Sequence, residues 1–220
     1  MARMRSKKWS LPWIESHPDQ VLQDGTIFKG KWKSQLNGNL LHVEIGTGKG
    51  AYLNQMAHLY PEEAWLGIEK EVPAISMAAR YSFEEDPASF RNKVFLLADA
   101  DQIETWFEEG EVDVIHLNFS DPWPKKYTHK RRLSSAKFLE QYRRILSNDG
   151  KIIMKTDNQG LFEDSLVYFS EANFQLVEVS VDYRRKDHPE DAITEYEQRF
   201  LDLGQPIYRC VIQKRSESNE

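Results

Sequence analysis

The sequence VEIGTGKGAYLNQMA, residues 43–57, runs from an apolar segment into a helical pattern through Gly46, Gly48 and Gly50. Glycines between a strand and a helix allow a tight turn and a close approach of the backbone to a ligand. Their spacing is G-x-G-x-G, which differs from the G-x-G-x-x-G of dinucleotide sites and from the nucleotide-triphosphate loop. The stretch therefore predicts a strand–turn–helix unit with a ligand site at the turn.

Short β-rich runs alternate with helical patterns on both sides of this unit, which predicts a parallel sheet with helices on both faces. The last two strand patterns have no helical pattern between them, so they predict an antiparallel hairpin joined by a long insertion at 184–205. This α/β layout is that of the class I S-adenosylmethionine-dependent methyltransferase (Rossmann-like) fold, with a mostly parallel seven-stranded sheet. The predicted strands are 40–46, 64–70, 93–99, 113–119, 151–156, 175–183 and 206–214, and the predicted helices are 51–59, 73–83, 103–108, 135–146 and 162–171.

Length and composition favour one globular domain that works in a reducing cytoplasm. The 220 residues have a net charge of −6 and a single cysteine, Cys210, which excludes an internal disulfide and a cysteine-cluster metal site. No apolar run approaches the roughly 20 residues that cross a bilayer. We expect a basic arm and lead-in over 1–39, partly flexible at its start, a methyltransferase domain over 40–215, a polar tail over 216–220 and no bound metal.

Carboxylates recur at the carboxyl ends of the predicted strands, where open α/β sheets bind their ligands. Glu44 would repel a pyrophosphate but would accept hydrogen bonds from an ammonium group, which S-adenosylmethionine carries. Glu69 lies 69 − 46 = 23 residues after the first glycine, a spacing that suits ribose hydroxyls. Asp99 is placed to bind an adenine amine, and Asp121 follows the fourth strand. Each of these carboxylates alone could equally be a helix cap.

The stretch NFSDPWPKKYTHKRR, residues 118–132, places Asp121 before a stiff turn and a basic tract. Pro122 and Pro124 fix two φ angles around Trp123. Basic side chains mixed with flat rings suit a nucleic-acid backbone with an unstacked base nearby. One carboxylate can accept both N1–H and N2–H of guanine. The alternatives are a solvated charge run and a stiff loop with Trp123 packed on the core.

Four motifs together resemble the bacterial tRNA (guanine-N7-)-methyltransferase family: HVEIGTGKG at 42–50, the stretch at 118–132, MKTDN at 154–158 and TEYEQRF at 194–200. The resemblance covers most of residues 40–210. It implies an enzyme that transfers a methyl group from S-adenosylmethionine to N7 of guanosine 46 in the variable loop of tRNA. It also implies tRNA as partner, with no membrane, no required protein partner, and a monomer or homodimer.

The resemblance also implies roles for individual residues, with Asp121 at the catalytic centre. An extended 194–197 segment would point Glu195 and Glu197 the same way, although both could instead lie on a helix surface. Tyr127 and Thr128 depart from the more charged residues that are usual in the family. The implied cofactor-binding residues are Glu44, Gly46, Gly48, Gly50, Glu69, Asp99 and Asp121; the substrate-binding residues are Lys125, Asp157, Thr194, Glu195, Tyr196 and Glu197; the RNA-contact residues are Tyr127, Thr128, His129, Lys130, Arg131 and Arg132.

Two other functions remain open on the same fold. A methyltransferase acting on an exocyclic amine of adenine or cytosine would carry an Asn/Asp-Pro-Pro-aromatic block, whereas here the aromatic residue stands between the prolines. A non-catalytic RNA-binding protein would have no need of Glu44, the glycine turn and Glu69. A polyamine-synthase-like enzyme is disfavoured by the positive charge of residues 125–132.

Overall fold

The computed structural model describes residues 7–215, without the side chain of Glu195. The first residues of the predicted basic arm, with Arg3 and Arg5, lie outside the described residues, as does the predicted polar tail. None of the described helices is long and apolar enough to cross a membrane.

The described residues form one mostly parallel sheet of eight strands in the order β1-β4-β3-β2-β5-β6-β8-β7. Only β8 runs antiparallel to its neighbours β6 and β7, which confirms the predicted C-terminal hairpin. The strands β2 and β5 are parallel neighbours, and the order in which the chain adds strands to the sheet reverses between them. In open α/β sheets, ligands bind at such a switch point. The strands are β1 Val21–Leu22, β2 Leu41–Ile45, β3 Ala64–Glu69, β4 Lys93–Leu97, β5 Val112–Asn118, β6 Leu146–Thr156, β7 Phe174–Ser180 and β8 Tyr208–Lys214.

Helices cover both faces of the sheet, as predicted. Leu41, Val43 and Ile45 of β2 belong to the larger core. Trp65 and Phe95, from β3 and β4, belong to a second core on the other face. The α-helices are α1 Ser10–Ser16, α2 Trp32–Gln35, α3 Ala51–Leu59, α4 Val72–Glu85, α5 Ala136–Ile145, α6 Gln159–Glu171 and α7 Glu195–Asp202.

The structure contains elements that the sequence did not predict, among them α1 and α2 in the lead-in, and β6 begins at Leu146 rather than at residue 151. The eighth strand, β1, comes from the lead-in and pairs with β4, so part of residues 1–39 joins the sheet. A 3-10 helix at Ala100–Thr105 replaces the predicted helix at 103–108. The long insertion contains α7, where no helix was predicted. The domain boundary at residue 39 stays a prediction.

Candidate active site

The glycine turn after β2 has the open backbone that a ligand site needs. Gly46 has a φ of +78°, and a side chain there would project into open space. Gly50 differs, because a Cβ at this position would lie 2.6 Å from the Cβ of Ala78. The structure therefore leaves space for a ligand at Gly46 and gives Gly50 a packing role between α3 and α4, while its predicted cofactor contact stays untested.

Glu44 is a buried carboxylate beneath this turn, with 3% of its surface exposed. The Thr47 hydroxyl donates to one oxygen at 2.6 Å, and the Asn118 amide donates to the other at 2.9 Å. Burial raises the pKa of Glu44 to about 7, although both hydrogen bonds oppose that shift. The other amide atom of Asn118, Oδ1, is buried without a hydrogen-bond partner among the described residues. The Glu44 carboxylate and the unpaired Oδ1 of Asn118 could both accept hydrogen bonds from the ammonium group of S-adenosylmethionine.

Glu69 and Asp99 lie at the ends of β3 and β4, as predicted, and both also serve local turns. Glu69 accepts from the backbone N–H groups of Gly48 at 3.0 Å and of Lys70 at 2.8 Å. Asp99 is exposed and accepts from the N–H of Asp101 at 3.2 Å. Lys70 Nζ lies 3.6 Å from Asp99. Glu69 thus ties the glycine turn to β3, and the ribose and adenine contacts remain predictions.

The loop after β5 brings Asp121 within electrostatic range of Tyr196 on α7. Phe119 and Trp123 in this loop have φ angles of +51° and +41°. The Phe119 ring is buried, and its centroid lies 5.3 Å from that of Tyr196 on α7. Partial burial raises the pKa of Tyr196, and the negative charges of Asp157 and Asp121 raise it further. Tyr196 is therefore within electrostatic range of both Asp121 and Asp157, although the three residues are far apart in sequence.

The basic tract forms a 3-10 helix at Lys126–Arg131 that points its side chains in two directions. Tyr127 is 72% exposed, and the Arg131 guanidinium lies over the Trp123 ring at 5.0 Å. Arg132 is only 4% exposed, and all its bonds are made within the protein. The Arg132 side chain is therefore buried by contacts within the protein, and its predicted contact with RNA stays a prediction. The members that remain exposed are Lys125, Lys126, Tyr127, Lys130 and Arg131.

The segment 194–197 is not extended, which corrects the sequence-based interpretation of Glu195 and Glu197. Thr194 caps α7, and its hydroxyl accepts from the backbone N–H of Glu197 at 3.0 Å. The Glu197 side chain is fully buried and pairs with Arg184 at 2.6 Å and Lys155 at 3.3 Å. Asp191 completes the group by pairing with both cations. In this structure Glu197 holds α7 in place, and Tyr196 is the neighbour that reaches the surface.

Comparison with known proteins identifies the family. The chain matches the family model described as "Putative methyltransferase" over residues 38–210. It is 43% identical to a tRNA (guanine-N(7)-)-methyltransferase of Oceanobacillus iheyensis over 94% of this chain and 97% of that protein. It is 40% identical to one of Bacillus velezensis, over 97% of this chain and 98% of the relative. The chain belongs to the tRNA (guanine-N(7)-)-methyltransferase family.

Membership in this family confirms the resemblance, the predicted enzyme class and S-adenosylmethionine as the methyl donor. Solved structures support the fold alone. The 16S rRNA methyltransferase KamB has a TM-score of 0.61 at 13% identity, covering 84% of this chain and 94% of KamB. The antibiotic-resistance methyltransferase Kmr has a TM-score of 0.58 at 18% identity, covering 86% of this chain and 93% of Kmr.

Two residues that contribute to the site, and the start of α7, were not predicted from the sequence. Asn118 stands in the quoted stretch 118–132, but as a neutral residue before the carboxylate it drew no attention. Lys155 stands in the otherwise apolar run IIMKT, and a lysine in a buried strand signals a buried partner. The pattern T-x-x-E at Thr194 and Glu197 is the signature of a capping box, which would have predicted the start of α7.

Replacing Glu44 with glutamine should change the pH dependence of stability. Because the pKa of Glu44 is raised to about 7, its stabilising contribution is complete below 4.5 and is lost as pH rises through 7. The shift corresponds to about 3 kcal/mol. Relative to wild type, Glu44→Gln should therefore gain about this much free energy of unfolding between pH 4.5 and 8 in denaturant titrations. Parallel pH profiles for the two proteins would contradict the assignment.

The same variant tests the cofactor contact. Wild-type affinity for S-adenosylmethionine, measured by calorimetry, should fall as pH drops below 7, because protonated Glu44 no longer attracts the ammonium group. Glu44→Gln should bind weakly at every pH. A matched control is Glu104→Gln, since Glu104 pairs with Arg144 on the surface. This control should keep the wild-type profile.

Proposed function

We propose that this protein transfers the methyl group of S-adenosylmethionine to N7 of the guanosine at position 46 in the tRNA variable loop, in the cytoplasm. The observation that carries the proposal is the position of Tyr196 within electrostatic range of both Asp121 and Asp157. Exposed basic residues continue outward from Asp121 along the same segment. The arrangement offers carboxylates for a base and cations for its flanking phosphates.

The chemistry requires little of the protein beyond positioning. S-adenosylmethionine supplies an activated methyl group on sulfur, and guanine N7 carries an in-plane lone pair at neutral pH. The S–CH₃ bond breaks as the N7–CH₃ bond forms, no proton moves, and the products are 7-methylguanosine and S-adenosylhomocysteine. No general base is needed, so holding the reacting atoms in line supplies much of the rate.

The two carboxylates have complementary tasks in this proposal. The purine becomes cationic as the methyl group arrives, so a fixed negative charge nearby stabilises the transition state more than the ground state. Asp121 is the candidate for this task because it lies in the loop that follows β5, a strand at the switch point of the sheet. Asp157 is half-buried, and burial raises its pKa. A half-buried carboxylate has lost part of its hydration, so hydrogen bonds from the guanine N–H groups would stabilise its charged form. Adenine lacks this pair of donors and would leave the carboxylate unpaired.

Next to Asp121 in sequence, the exposed members of the basic tract suit the phosphates that flank the base. Lys125, Lys126, Lys130 and Arg131 are all exposed on one short segment. Each phosphate contact releases counterions, so tRNA binding should weaken steeply with salt. The protein as a whole is acidic, which limits attraction of nucleic acid to this local face.

The position of the methylated guanosine is tested with tRNA transcripts that differ at one nucleotide. Wild-type protein and labelled S-adenosylmethionine should place one methyl group on a transcript with guanosine at position 46. A transcript with adenosine at that position should accept none. Equal labelling of both transcripts would reject the variable-loop assignment, and label on an exocyclic amine would favour the alternative function.

A further inference from the structure

We propose that Arg132 is a positioning residue that fixes the loop of residues 119–124 relative to α6, and so fixes Asp121 relative to Asp157. The inference rests on the proposed function, since it concerns the placement of those two carboxylates. The sequence of a basic tract does not show which arginine faces the protein interior and which is free to bind phosphate, but the contacts of Arg132 in the structure do.

The Arg132 guanidinium uses all three of its nitrogen atoms inside the protein. Nε–H donates to the carbonyl oxygen of Pro122 at 2.7 Å. One terminal nitrogen donates to Asp164 at 2.6 Å, and the other donates to Nε2 of His129 at 2.9 Å. Because the guanidinium is planar and rigid, these three bonds fix the loop backbone to the other two partners in one geometry.

His129 extends this set of contacts to a second residue of α6. A guanidinium only donates, so Nε2 of His129 must accept, and the hydrogen of the neutral ring then lies on Nδ1. Nδ1 lies 3.2 Å from the Tyr168 hydroxyl. Asp164 and Tyr168 both belong to α6. The 119–124 loop is therefore attached to α6 at two points, one turn of helix apart.

The attachment matters because α6 starts beside the second carboxylate. Asn158 caps α6 by accepting from the N–H of Leu161 at 2.8 Å, and Asp157 immediately precedes this cap. Arg132 thus links the loop that carries Asp121 to the helix that follows Asp157. A loss of this link would let the two carboxylates shift relative to each other without removing either.

The loop needs such support because its own backbone preferences do not fix its shape. Phe119 and Trp123 both have positive φ angles, which residues other than glycine rarely adopt. Such conformations persist only where surrounding contacts hold them. The Thr128 hydroxyl donates to the Trp123 carbonyl at 3.3 Å, and Arg132 supplies the shorter bond at Pro122.

The test separates turnover from tRNA binding. Arg132→Lys keeps a positive charge but cannot make three bonds in a plane, so single-turnover methyl transfer at saturating tRNA should fall about 10–100-fold. The dissociation constant for tRNA and its salt dependence should stay within about twofold of wild type. Unchanged turnover with weakened tRNA binding would show that Arg132 binds phosphate, and would overturn the proposal.

A matched control comes from another inward arginine. Arg143 on α5 donates to the carbonyl oxygens of Ala172 and Asn173, at the far end of α6. Arg143→Lys loses comparable bonds away from Asp121, so it should lower the melting temperature without changing the rate of methyl transfer. An equal rate loss in both variants would mean that general destabilisation explains the effect, and would overturn the proposal.

Asp164→Asn provides a second test if Arg132→Lys does not fold. A positioning role predicts about a three- to tenfold loss of rate with unchanged tRNA affinity, because one of the three bonds weakens. A phosphate-binding role predicts tighter tRNA binding at the wild-type rate, because a negative charge beside the RNA is removed. The second result would overturn the proposal.

A measurement without the reaction keeps this inference separable from the proposed function. Protein labelled with 5-fluorotryptophan gives a ¹⁹F resonance for Trp123, assigned by its absence in Trp123→Phe. That resonance should shift in Arg132→Lys and Asp164→Asn but not in Arg143→Lys. An unshifted resonance would reject the link, whereas a wild-type protein that makes no 7-methylguanosine would reject the function alone.

Discussion

Asp121→Asn is expected to lower the single-turnover rate of methyl transfer by about 10²–10³-fold, the usual cost of losing one electrostatic contact to a transition state. Asparagine has almost the same shape, so the variant removes the charge that balances the developing cation and keeps the loop. Affinity for S-adenosylmethionine should fall less than the rate. Rapid-quench measurement with saturating tRNA and cofactor gives the rate directly.

A matched control for this charge change is Asp149→Asn. Asp149 is exposed in β6 and has no assigned role in binding or catalysis, so its variant should turn over at the wild-type rate. A wild-type rate for Asp121→Asn as well would remove Asp121 from the catalytic centre. A loss confined to cofactor affinity would leave it as a cofactor ligand only.

Glu197→Ala is expected to lower the free energy of unfolding by about 3–5 kcal/mol, because it leaves buried cations without one of their two carboxylates. Lys155 and Arg184 would then share Asp191 alone. The loosened α7 carries Tyr196, so tRNA methylation should also fall. Cofactor affinity should be retained at temperatures well below the midpoint. Urea titration followed by circular dichroism measures the stability change.

Asp202→Ala serves as the control on the same helix. Asp202 ends α7 and is exposed, where it accepts from Gln198 at 2.8 Å. Its replacement should change the free energy of unfolding by less than about 0.5 kcal/mol. If Glu197→Ala were equally harmless, the buried ion group would not stabilise α7. If Glu197→Ala lost cofactor binding to the same extent as methylation, α7 would have no separate role in holding the guanine base.

The parts of the fold and site that depend on local patterns could be predicted from the sequence. The apolar run, glycine turn and helix at 43–57 specify a strand–turn–helix unit, and parallel strands bring their carboxyl ends to one edge. Glu44, Glu69 and Asp99 follow from that rule alone, and each lies where it was expected.

The parts that depend on side-chain direction could not be predicted. Arg131 and Arg132 are identical in type and adjacent in sequence, yet one lies over the Trp123 ring and the other is buried against Pro122 and Asp164. A charge pattern cannot distinguish these, because the difference arises from the packing of α6 against the loop. The partners of Glu197 likewise come from β6 and the insertion, at separations that no local pattern encodes.

Identification of the modified nucleoside shows whether this protein methylates guanosine at N7. Purified protein is incubated with an unmodified tRNA transcript and S-adenosylmethionine carrying a labelled methyl group, and the RNA is digested and separated by chromatography. We expect the label to appear in 7-methylguanosine. Label in a methylated adenosine or cytidine, or no labelled nucleoside at all, would contradict this expectation.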